Sequence, residues 1–342
     1  MEKEKYLNFY WFCLLILSLL LRAFSISQAA PKINTHQYIA DEWKENDGLP
    51  QDSVKAITQT PDGYIWFGTT NGLARFDGIE FKLFNSQNTP QFKVNRIICL
   101  FADYDGSLWI GTEGGGLLHY KDRQFTLCTT ENGLFSNYIT EIYRDSQGIL
   151  WIGTPDKSLL SYENNKFKIW GPKSGLTNEN IQSLLEDNTG ALWVGTFGGL
   201  FKLRNNKFER IDPDKNFIGS IVSSIHQDRK GSIYIGSNEG LTVIENNQFR
   251  IISKEKGLLS NDITSINDDR MGNIWVGTSN GLQILSPYQG GNFKSEIILE
   301  KISIPCIFED SENSIWAATY GDGVKRFREG KFLKYTSEQG LS

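Results

Sequence analysis

The sequence predicts an all-β fold: a seven-bladed β-propeller of four-stranded antiparallel blades, preceded by an N-terminal signal segment. Three observations lead to this prediction. One aromatic phrase occurs seven times along the chain. Each copy carries turn signals that separate short apolar strands. Glycine and tryptophan are both abundant, with 33 and 9 residues in a chain of 342, and this composition suits short strands, tight turns and large core side chains.

The repeated phrase has a nearly constant period. Its aromatic residue returns every 41 to 43 residues, a spacing typical of several propeller repeats. We expect these blade aromatics to fill the space between adjacent sheets, so we assign them a structural role and predict no catalytic residues among them. The blade aromatics are Trp66, Trp109, Trp151, Trp193, Tyr234, Trp275 and Trp316.

A turn precedes the aromatic residue in each unit. An aspartate stands six positions before it in six units, and Thr60 takes that place in the first unit. A glycine stands three positions before it in six units, and Asn313 takes that place in the seventh. This pattern is typical of a β-turn, because the carboxylate accepts backbone N–H groups while glycine adopts a positive φ. Asparagine is the side chain that best tolerates the same conformation.

Four strands are predicted in each unit. In the first unit they cover residues 54–59, 64–69, 73–76 and 80–84. A glycine two positions after the aromatic predicts that the neighbouring sheet approaches closely there. Such small sheets are apolar on both faces, and radial packing into a ring buries both of them. We therefore predict that residues 31–330 form one seven-bladed propeller.

The sequence contains one outer strand more than a ring of seven needs. One spare strand covers residues 37–43 and the other covers residues 331–336. We predict that the N-terminal strand joins the last sheet and closes the ring; closure by the C-terminal strand is the alternative. Residues 331–342 then form a spare outer strand and the start of a linker to a missing second propeller. We expect the chain to be truncated or to need a partner.

The first thirty residues differ from the rest of the chain. Lys3 and Lys5 precede an apolar run over residues 7–21, and the small residues Ser27 and Ala29 follow. This is the pattern of a secretory signal. The run is short for a membrane span, which needs about 20 residues. We predict that residues 1–30 are a signal peptide or an N-terminal anchor and that the remainder is exported to the periplasm or cell envelope.

Composition and residue spacing argue against several kinds of site. The net charge is −5 and no basic patch is visible, so we expect no nucleic-acid partner. His36, His119 and His226 are too far apart in the repeat to suggest a zinc site. One aspartate per turn offers too few oxygens for calcium. We predict no metal and no cofactor. We expect Cys99, Cys128 and Cys306 to be apolar thiols inside strands.

Candidate ligand-binding residues follow the Gly-Thr pair of each unit. The turn at that point and the linker between units share one rim of the predicted ring. Aromatic side chains there could stack on a sugar ring, and charged ones could bond its hydroxyl groups. The alternatives are an ordinary solvated rim and a protein interface. The candidates are Glu113, Asp156, Lys157, Phe197, Glu239, Tyr320 and Asp322.

One inner-strand position breaks its series. Ten residues before the aromatic, six units have a small residue and the third has Glu141. This carboxylate either faces the central channel, where it could bind water or an ion, or forms a local salt bridge. His226 is also expected beside the channel.

The repeat resembles that of a known family. Its pattern, I-x-x-D-x-x-G-x-[LI]-W-[IV]-G-T-x-x-G-L, is similar to the two-component regulator propeller repeat over about residues 36–342. The resemblance implies the periplasmic sensory region of a membrane receptor whose output is a histidine kinase, often in hybrid form, or a diguanylate cyclase. In some members the cue is an oligosaccharide. The implied partners are an oligosaccharide or another small extracellular cue, and a second propeller or receptor partner. The implied membrane association is through the N-terminal segment or the missing C-terminal part.

Two functions follow from these observations. The first is an extracytoplasmic ligand-sensing or interaction propeller that is not itself an enzyme and whose output domain is absent from this chain. The alternative is a secreted propeller enzyme that acts on glycans as a lyase or glycosidase. An enzyme needs several polar residues that converge at one mouth of the ring, whereas the sequence shows only scattered ones. Because one fold hosts many functions, the preference for sensing depends on the family resemblance.

Overall fold

The computed structural model describes five ranges of the chain: residues 38–156, 159–177, 180–211, 220–288 and 292–330. Residues 39–328 form one compact unit. The chain ends form a second unit, of which only residues 38, 329 and 330 are described. The predicted signal segment, the predicted tail and Lys157 lie outside the described residues. Within the described ranges, no helix has the length and apolar character needed to cross a membrane.

The described residues form 28 β-strands in seven antiparallel sheets of four, which confirms the predicted seven-bladed propeller. The first six blades each use four consecutive strands, numbered here in chain order. The first blade comprises β2 (Val54–Gln59), β3 (Ile65–Thr69), β4 (Gly72–Phe76) and β5 (Phe81–Phe84). The second comprises β6 (Ile97–Ala102), β7 (Leu108–Thr112), β8 (Leu117–Lys121) and β9 (Gln124–Cys128). The third comprises β10 (Glu141–Arg144), β11 (Leu150–Gly153), β12 (Leu159–Glu163) and β13 (Lys166–Trp170).

The next three blades repeat this order. The fourth blade comprises β14 (Ile181–Glu186), β15 (Leu192–Thr196), β16 (Gly199–Arg204) and β17 (Lys207–Arg210). The fifth comprises β18 (Val222–Gln227), β19 (Ile233–Ser237), β20 (Gly240–Glu245) and β21 (Gln248–Ile252). The sixth comprises β22 (Ile263–Asp268), β23 (Ile274–Thr278), β24 (Gly281–Pro287) and β25 (Phe293–Glu300).

The seventh blade combines the two ends of the described chain. Its inner strands are β26 (Cys306–Glu309), β27 (Ile315–Ala318) and β28 (Val324–Glu329), and its outer strand is β1 (Tyr38–Trp43). The prediction that the N-terminal strand joins the last sheet is therefore confirmed. With β1 in this place, all seven blades have four strands.

Side-chain contacts hold β1 on β28. The indole of Trp43 stacks on that of Trp316, with ring centroids 5.2 Å apart. The Asp41 carboxylate pairs with the guanidinium groups of Arg326 at 2.8 Å and Arg328 at 2.9 Å. Ring closure thus combines an aromatic stack with ion pairs, in addition to the strand pairing itself.

In the described ranges, short 3-10 turns precede four of the blades. Each ends in a glycine with a positive φ between 90° and 114°. A buried leucine follows each glycine and anchors the linker in the core; these leucines are Leu49, Leu134, Leu176 and Leu258. The four turns are Glu45–Asp47, Thr130–Asn132, Pro172–Ser174 and Lys254–Lys256.

The blade aromatics fill the space between sheets, as predicted. Six of the seven are at most 6% exposed, and Trp109 is half-buried. The glycine two positions after the aromatic is required by the next blade. A Cβ on Gly68 would lie 2.6 Å from Ile97 Cγ2, and one on Gly236 would lie 2.5 Å from Ile263 Cγ2. Such distances are too short for any side chain, so the predicted close approach is confirmed.

The turn aspartate has a second role that the turn pattern did not predict. In the seventh blade, Asp310 Oδ1 accepts the backbone N–H groups of Glu312 at 2.9 Å and Ser314 at 2.8 Å. The other oxygen, Oδ2, accepts the indole N–H of Trp316 at 2.7 Å. In the first blade, Thr60 Oγ1 replaces the carboxylate and accepts the Trp66 indole N–H at 2.9 Å. The residue six positions before the aromatic therefore satisfies the buried indole.

Candidate functional site

The candidate rim consists of the turns that follow the Gly-Thr pairs and of the linkers between blades. In six blades, the Thr or Ser hydroxyl at the start of the turn, which follows a glycine in five of them and Ala318 in the seventh, donates to the carbonyl of a glycine at the far end of the turn, over 2.7 to 3.0 Å. The first residue of the turn also donates its backbone N–H to the residue before the inner strand, as Phe197 does to Asn180 and Tyr320 to Ser303, both at 3.1 Å. These hydrogen bonds fix the backbone that presents the rim side chains.

Two predicted aromatic residues are exposed on the candidate rim. Phe197 is 47% exposed and Tyr320 is 52% exposed. The backbone of Tyr320 forms a β-bridge with Ser53 of the first blade. The ammonium group of Lys55 lies 5.4 Å from the centroid of the Tyr320 ring. An exposed ring and a cation thus lie together where the seventh blade meets the first.

The predicted acidic residues Glu113 and Asp156 have local partners. Glu113 pairs with the guanidinium of Arg96 at 2.7 Å. Asp156 accepts the Ser136 hydroxyl at 2.7 Å. The backbone of Glu113 also bridges to Tyr138. Burial, and to a smaller extent the charge of Glu113, raises the pKa of the Tyr138 phenol. These contacts hold the two carboxylates as fixed acceptors on the second and third blades.

The predicted residue Asp322 is an ion-pair partner at the ring closure. Its carboxylate lies 2.6 Å from the Lys44 ammonium and 3.0 Å from the Lys325 ammonium. The hydrogen bond with Lys44 is the main cause that lowers the pKa of Asp322. Glu239 is exposed, and its backbone N–H donates to Ser237 Oγ at 3.2 Å. The structure therefore distributes the predicted residues around the rim and does not bring them into one cluster.

The deviating carboxylate Glu141 is held without an ion pair among the described residues. Its Oε1 accepts the backbone N–H of Ile142 at 3.3 Å. The local salt bridge considered from the sequence is not what the structure shows. Burial raises the pKa of Glu141 to about 8. Burial also raises the pKa of the thiols of Cys99 and Cys306, and the nearby Glu141 charge adds to both shifts. One ionisable carboxyl and two protonated thiols therefore lie near one another at the inner strands.

At the rim opposite the candidate rim, a repeated hydrogen bond joins neighbouring blades. The backbone N–H that follows a turn aspartate donates to a side-chain acceptor at the end of the next inner strand. This bond occurs at five of the seven contacts between blades. The pairs are Ser146 to Glu186 at 2.7 Å, Asn188 to Gln227 at 2.8 Å, Arg229 to Asp268 at 3.4 Å, Arg270 to Glu309 at 2.9 Å, and Ser311 to Gln59 at 2.7 Å.

The two remaining blade contacts lack this bond for visible reasons. Between the first and second blades, Pro61 has no N–H to donate and Ala102 has no side-chain acceptor. Between the second and third blades, the acceptor position holds Arg144, whose Nε instead donates to Asp103 Oδ2 at 2.7 Å. Sequence reasoning missed these bonds because donor and acceptor belong to different repeats. The signal was the residue before each turn aspartate, which is polar in six units and alanine in the second.

The acidic side chains at this opposite rim are engaged in contacts between blades. Asp268 pairs with the imidazole of His226 at 3.0 Å, and Glu309 pairs with the guanidinium of Arg229. Burial acts to raise the pKa of Asp268, but the contacts with His226 and Arg229 outweigh it and lower the pKa. No group of three or more His, Cys, Asp or Glu side chains in the described ranges is arranged to hold a metal ion.

A cavity lies on the outer flank between the second and third blades, beside the linker that joins them. Its volume is about 570 Å³. Trp109, His119, Tyr162 and Phe167 line it, and none of the predicted rim residues that the structure describes does. This site was not predicted from the sequence.

Five segments match the family model described as "Two component regulator propeller": residues 48–71, 91–114, 133–156, 175–198 and 257–280. Each begins at the glycine or loop before an inner strand and ends in a turn of the candidate rim. These five segments are two-component regulator propeller repeats. The resemblance read from the repeat phrase is thereby confirmed.

Solved structures support the same relationship. The extracellular domain of a protein from B. thetaiotaomicron that is described as a hybrid two-component system superimposes with a TM-score of 0.74 at 26% identity. The match covers 86% of this chain and 42% of that one. Streptogramin B lyase superimposes with a TM-score of 0.67 over 86% of this chain and 98% of its own, but at 14% identity, which shows the fold alone.

A curated relative is "Histidine kinase P4" of Formosa agariphila. It is 35% identical over 68 residues, which are 20% of this chain and 5% of that protein. The chain therefore spans less than half of the length of the receptor proteins it matches.

Proposed function

We propose that this propeller is the extracytoplasmic sensing or interaction module of a two-component-type signalling receptor, located in the periplasm or cell envelope. The observation that carries this proposal is the match of five repeats together with the 26% identity to the extracellular domain of a hybrid two-component system. The propeller itself is not the enzyme of the receptor. In this proposal the output is a kinase or cyclase, and the partner is a second propeller or another receptor subunit.

We assign cue binding to the candidate rim. Phe197 and Tyr320 offer exposed ring faces, and Lys55 places a cation beside Tyr320. Such a pairing suits an oligosaccharide, because apolar sugar faces stack on aromatic rings while hydroxyl groups bond charged and polar side chains. Glu113 and Asp156 offer acceptors whose positions are already fixed by local bonds. A cue that contacts Tyr320 touches the seventh and first blades at their junction.

The alternative function is a secreted enzyme that acts on glycans as a lyase or glycosidase. The likeness to streptogramin B lyase supports only the shared fold. A lyase or glycosidase needs acid and base groups that converge on one bond. The rim carboxylates Glu113, Asp156 and Asp322 instead have separate local partners. This arrangement favours binding over catalysis.

The proposal is tested by calorimetric titration of the purified chain with a panel of oligosaccharides. We expect one class to bind, and we expect Tyr320→Ala or Phe197→Ala to weaken its binding by roughly tenfold, because each removes a stacking face. The matched control is Tyr104→Ala, which removes a ring that is 90% exposed and follows a turn aspartate on the opposite rim. We expect this control variant to bind like the unchanged chain.

Three results would count against the proposal. Absence of binding across the panel would remove the oligosaccharide from it. Equal losses in the Tyr104 and Tyr320 variants would show that the candidate rim is not the binding surface. Cleavage of an oligosaccharide by the unchanged chain would favour the enzyme.

A further inference from the structure

The flank cavity exists because one position of the second blade holds a small side chain. In the first, second, third, fifth and sixth blades, the first leucine of the third strand pairs with a residue near the end of the outer strand. That partner is Phe84 in the first blade, Trp170 in the third and Ile252 in the fifth. In the second blade it is Cys128, which pairs with Leu117.

The larger side chains at this position cover the blade aromatic. Phe84 stacks on Trp66 with ring centroids 5.9 Å apart, and Trp170 packs on Trp151 at 5.4 Å. Trp66 and Trp151 are 1% and 2% exposed as a result. The Cys128 thiol cannot cover an indole in this way. Trp109 is consequently half-buried. The space beside its indole, which Phe84 and Trp170 fill in their own blades, is open here; we call this space the seat.

Further aromatic groups form the walls of the cavity. The His119 imidazole stacks on the Trp109 indole with centroids 3.9 Å apart. Tyr162, from the third blade, meets Trp109 edge-on at 6.4 Å and packs on Phe167 at 4.6 Å. Phe135, in the linker between the blades, is 41% exposed at the edge of the cavity. A flat ring that entered the cavity would therefore meet aromatic groups on both sides.

The walls of the cavity are uncharged, and one cation, the ammonium group of Lys166, lies at its opening, which we call the lip. Burial lowers the pKa of His119, so its imidazole is neutral at pH 7. Burial raises the pKa of the Cys128 thiol, so the thiol remains protonated. Lys166 lines the cavity at the start of β13, is exposed, and has no ion-pair partner among the described residues. A neutral aromatic interior with an unpaired ammonium group at its edge suits a ring that carries an acidic substituent.

We propose that the cavity between the second and third blades binds a small aromatic carboxylic acid, whose ring packs on Trp109 as Phe84 and Trp170 pack on their own blade aromatics, and whose carboxylate faces Lys166. The volume of about 570 Å³ is within the range of small-molecule sites, about 300 to 1,000 Å³. This inference goes beyond the proposed signalling function. Binding by the purified chain can be measured whether or not the chain signals.

The test is calorimetric titration of the full chain with phenylacetate and indole-3-acetate, with cyclohexylacetate as the non-aromatic control. We expect both aromatic acids to bind and cyclohexylacetate to bind more weakly, because it offers no ring to stack. Cys128→Phe places a ring in the seat, and we expect it to weaken binding roughly tenfold or more. The melting temperature of this variant should equal or exceed that of the unchanged chain.

The lip cation has a matched control. We expect Lys166→Ala to weaken binding of indole-3-acetate but not of neutral indole. Lys207→Ala should change neither, because Lys207 begins the outer strand of the fourth blade and does not line the cavity. This pair of variants separates the contribution of the lip charge from a general change in surface charge.

Several results would overturn the proposal: failure of both aromatic acids to bind, equal binding of cyclohexylacetate, or undiminished binding by a folded Cys128→Phe variant. If Cys128→Phe does not fold, Cys128→Ile replaces it, because Ile252 fills the same seat in the fifth blade. Undiminished binding by Cys128→Ile is then the overturning result.

Discussion

At the scale of the residue, one aspartate per blade satisfies two kinds of donor. One carboxylate oxygen accepts the backbone of its own turn and the other accepts a buried indole N–H, as in Asp310 with Trp316. An indole N–H buried without an acceptor costs about 1 to 3 kcal/mol. The same logic explains why Thr60 replaces aspartate in the first unit, since its hydroxyl also accepts an indole N–H.

A substitution of Asp310 tests this dual role. We expect Asp310→Ala to lower the free energy of unfolding by about 3 kcal/mol, because the variant leaves the Trp316 N–H and two turn N–H groups without their acceptor. Denaturant unfolding measures the change. The control is Glu312→Ala in the same exposed turn, which should stay within about 0.5 kcal/mol of the unchanged chain. Equal effects of the two substitutions would contradict the assigned role.

Glu141 predicts a pH dependence of stability. Its pKa rises from 4.5 to about 8 on folding, so between these values the native state keeps a proton that the unfolded state has lost. Stability contributed by this group is therefore full below about pH 4.5 and is lost as the pH rises toward 8. We expect Glu141→Gln to gain about 2 kcal/mol of stability over the unchanged chain between pH 5 and pH 8.5; this is less than the full linkage value because the side chain is only half-buried.

The measurement is denaturant unfolding of both chains across this pH range. Glu312→Gln, at an exposed position, serves as the control and should show no such trend. A constant difference between Glu141→Gln and the unchanged chain at all pH values would show that the carboxyl does not titrate abnormally.

At the scale of the element, neighbouring blades pack closely because a glycine without a side chain lies at their contact. The glycine two positions after the aromatic lets the inner strand of the next blade approach to contact distance. The inner strands are further tied at the rim opposite the candidate rim by hydrogen bonds between blades, such as Ser311 to Gln59 at 2.7 Å. Packing and polar bonding therefore act at the same contacts.

Gly236 offers the cleanest test of the close approach. A Cβ there would lie 2.5 Å from Ile263 Cγ2, so we expect Gly236→Ala to lower the free energy of unfolding by about 2 kcal/mol through overpacking. The matched control is Gly171→Ala, because Gly171 has a φ of −134° and no atom within 4 Å of an added Cβ. Chemical denaturation reports both. A Gly236→Ala variant as stable as the control variant would show that the neighbouring blade can shift without cost.

Repetition explains how much of these elements the sequence could predict. A residue type that returns at one position of every unit, as the aspartate and the blade aromatic do, reveals its local role in each copy. Contacts between different units have no such signature. The bond from Ser146 to Glu186 joins residues 40 positions apart, and only the assembled ring brings them together. The flank cavity could not be predicted for a similar reason. Only the strand register shows that Cys128 and Phe84 occupy equivalent positions in their blades.

At the scale of the whole molecule, the ring depends on a strand from the opposite end of the chain. The period of the repeat was enough to predict the fold, and the count of strands favoured closure by the N-terminal strand over closure by the C-terminal one. The binding residues were harder to predict, because Asp322 meets Lys44 only after closure, and a sequence alone shows both as free charges. Surface residues whose partners come from a distant part of the chain are therefore the least predictable part of the candidate site.

Trp43 tests the closure. Its ring packs on Trp316, and the Arg326 guanidinium lies 5.0 Å from its centroid. We expect Trp43→Ala to lower the free energy of unfolding by about 3 kcal/mol and to lower the melting temperature of the whole ring, because no other residue fills that place on Trp316. Tyr288→Ala removes a ring that is 55% exposed and serves as the control. Calorimetry that shows early melting of one blade alone would contradict a cooperative closure.

Closure by the first strand also sets the order of events in folding. Glu42 and Lys325, which the closed ring joins, are 283 positions apart. At synthesis rates of about 5 to 20 residues per second, the first strand waits roughly 15 to 60 seconds before its partner strand is made. Until then its hydrogen-bonding edge has no native partner, and joining such distant segments carries the largest loop entropy in the chain. Until β28 has been made and has paired with β1, the unpaired edge of β1 therefore exposes the unfinished ring to aggregation.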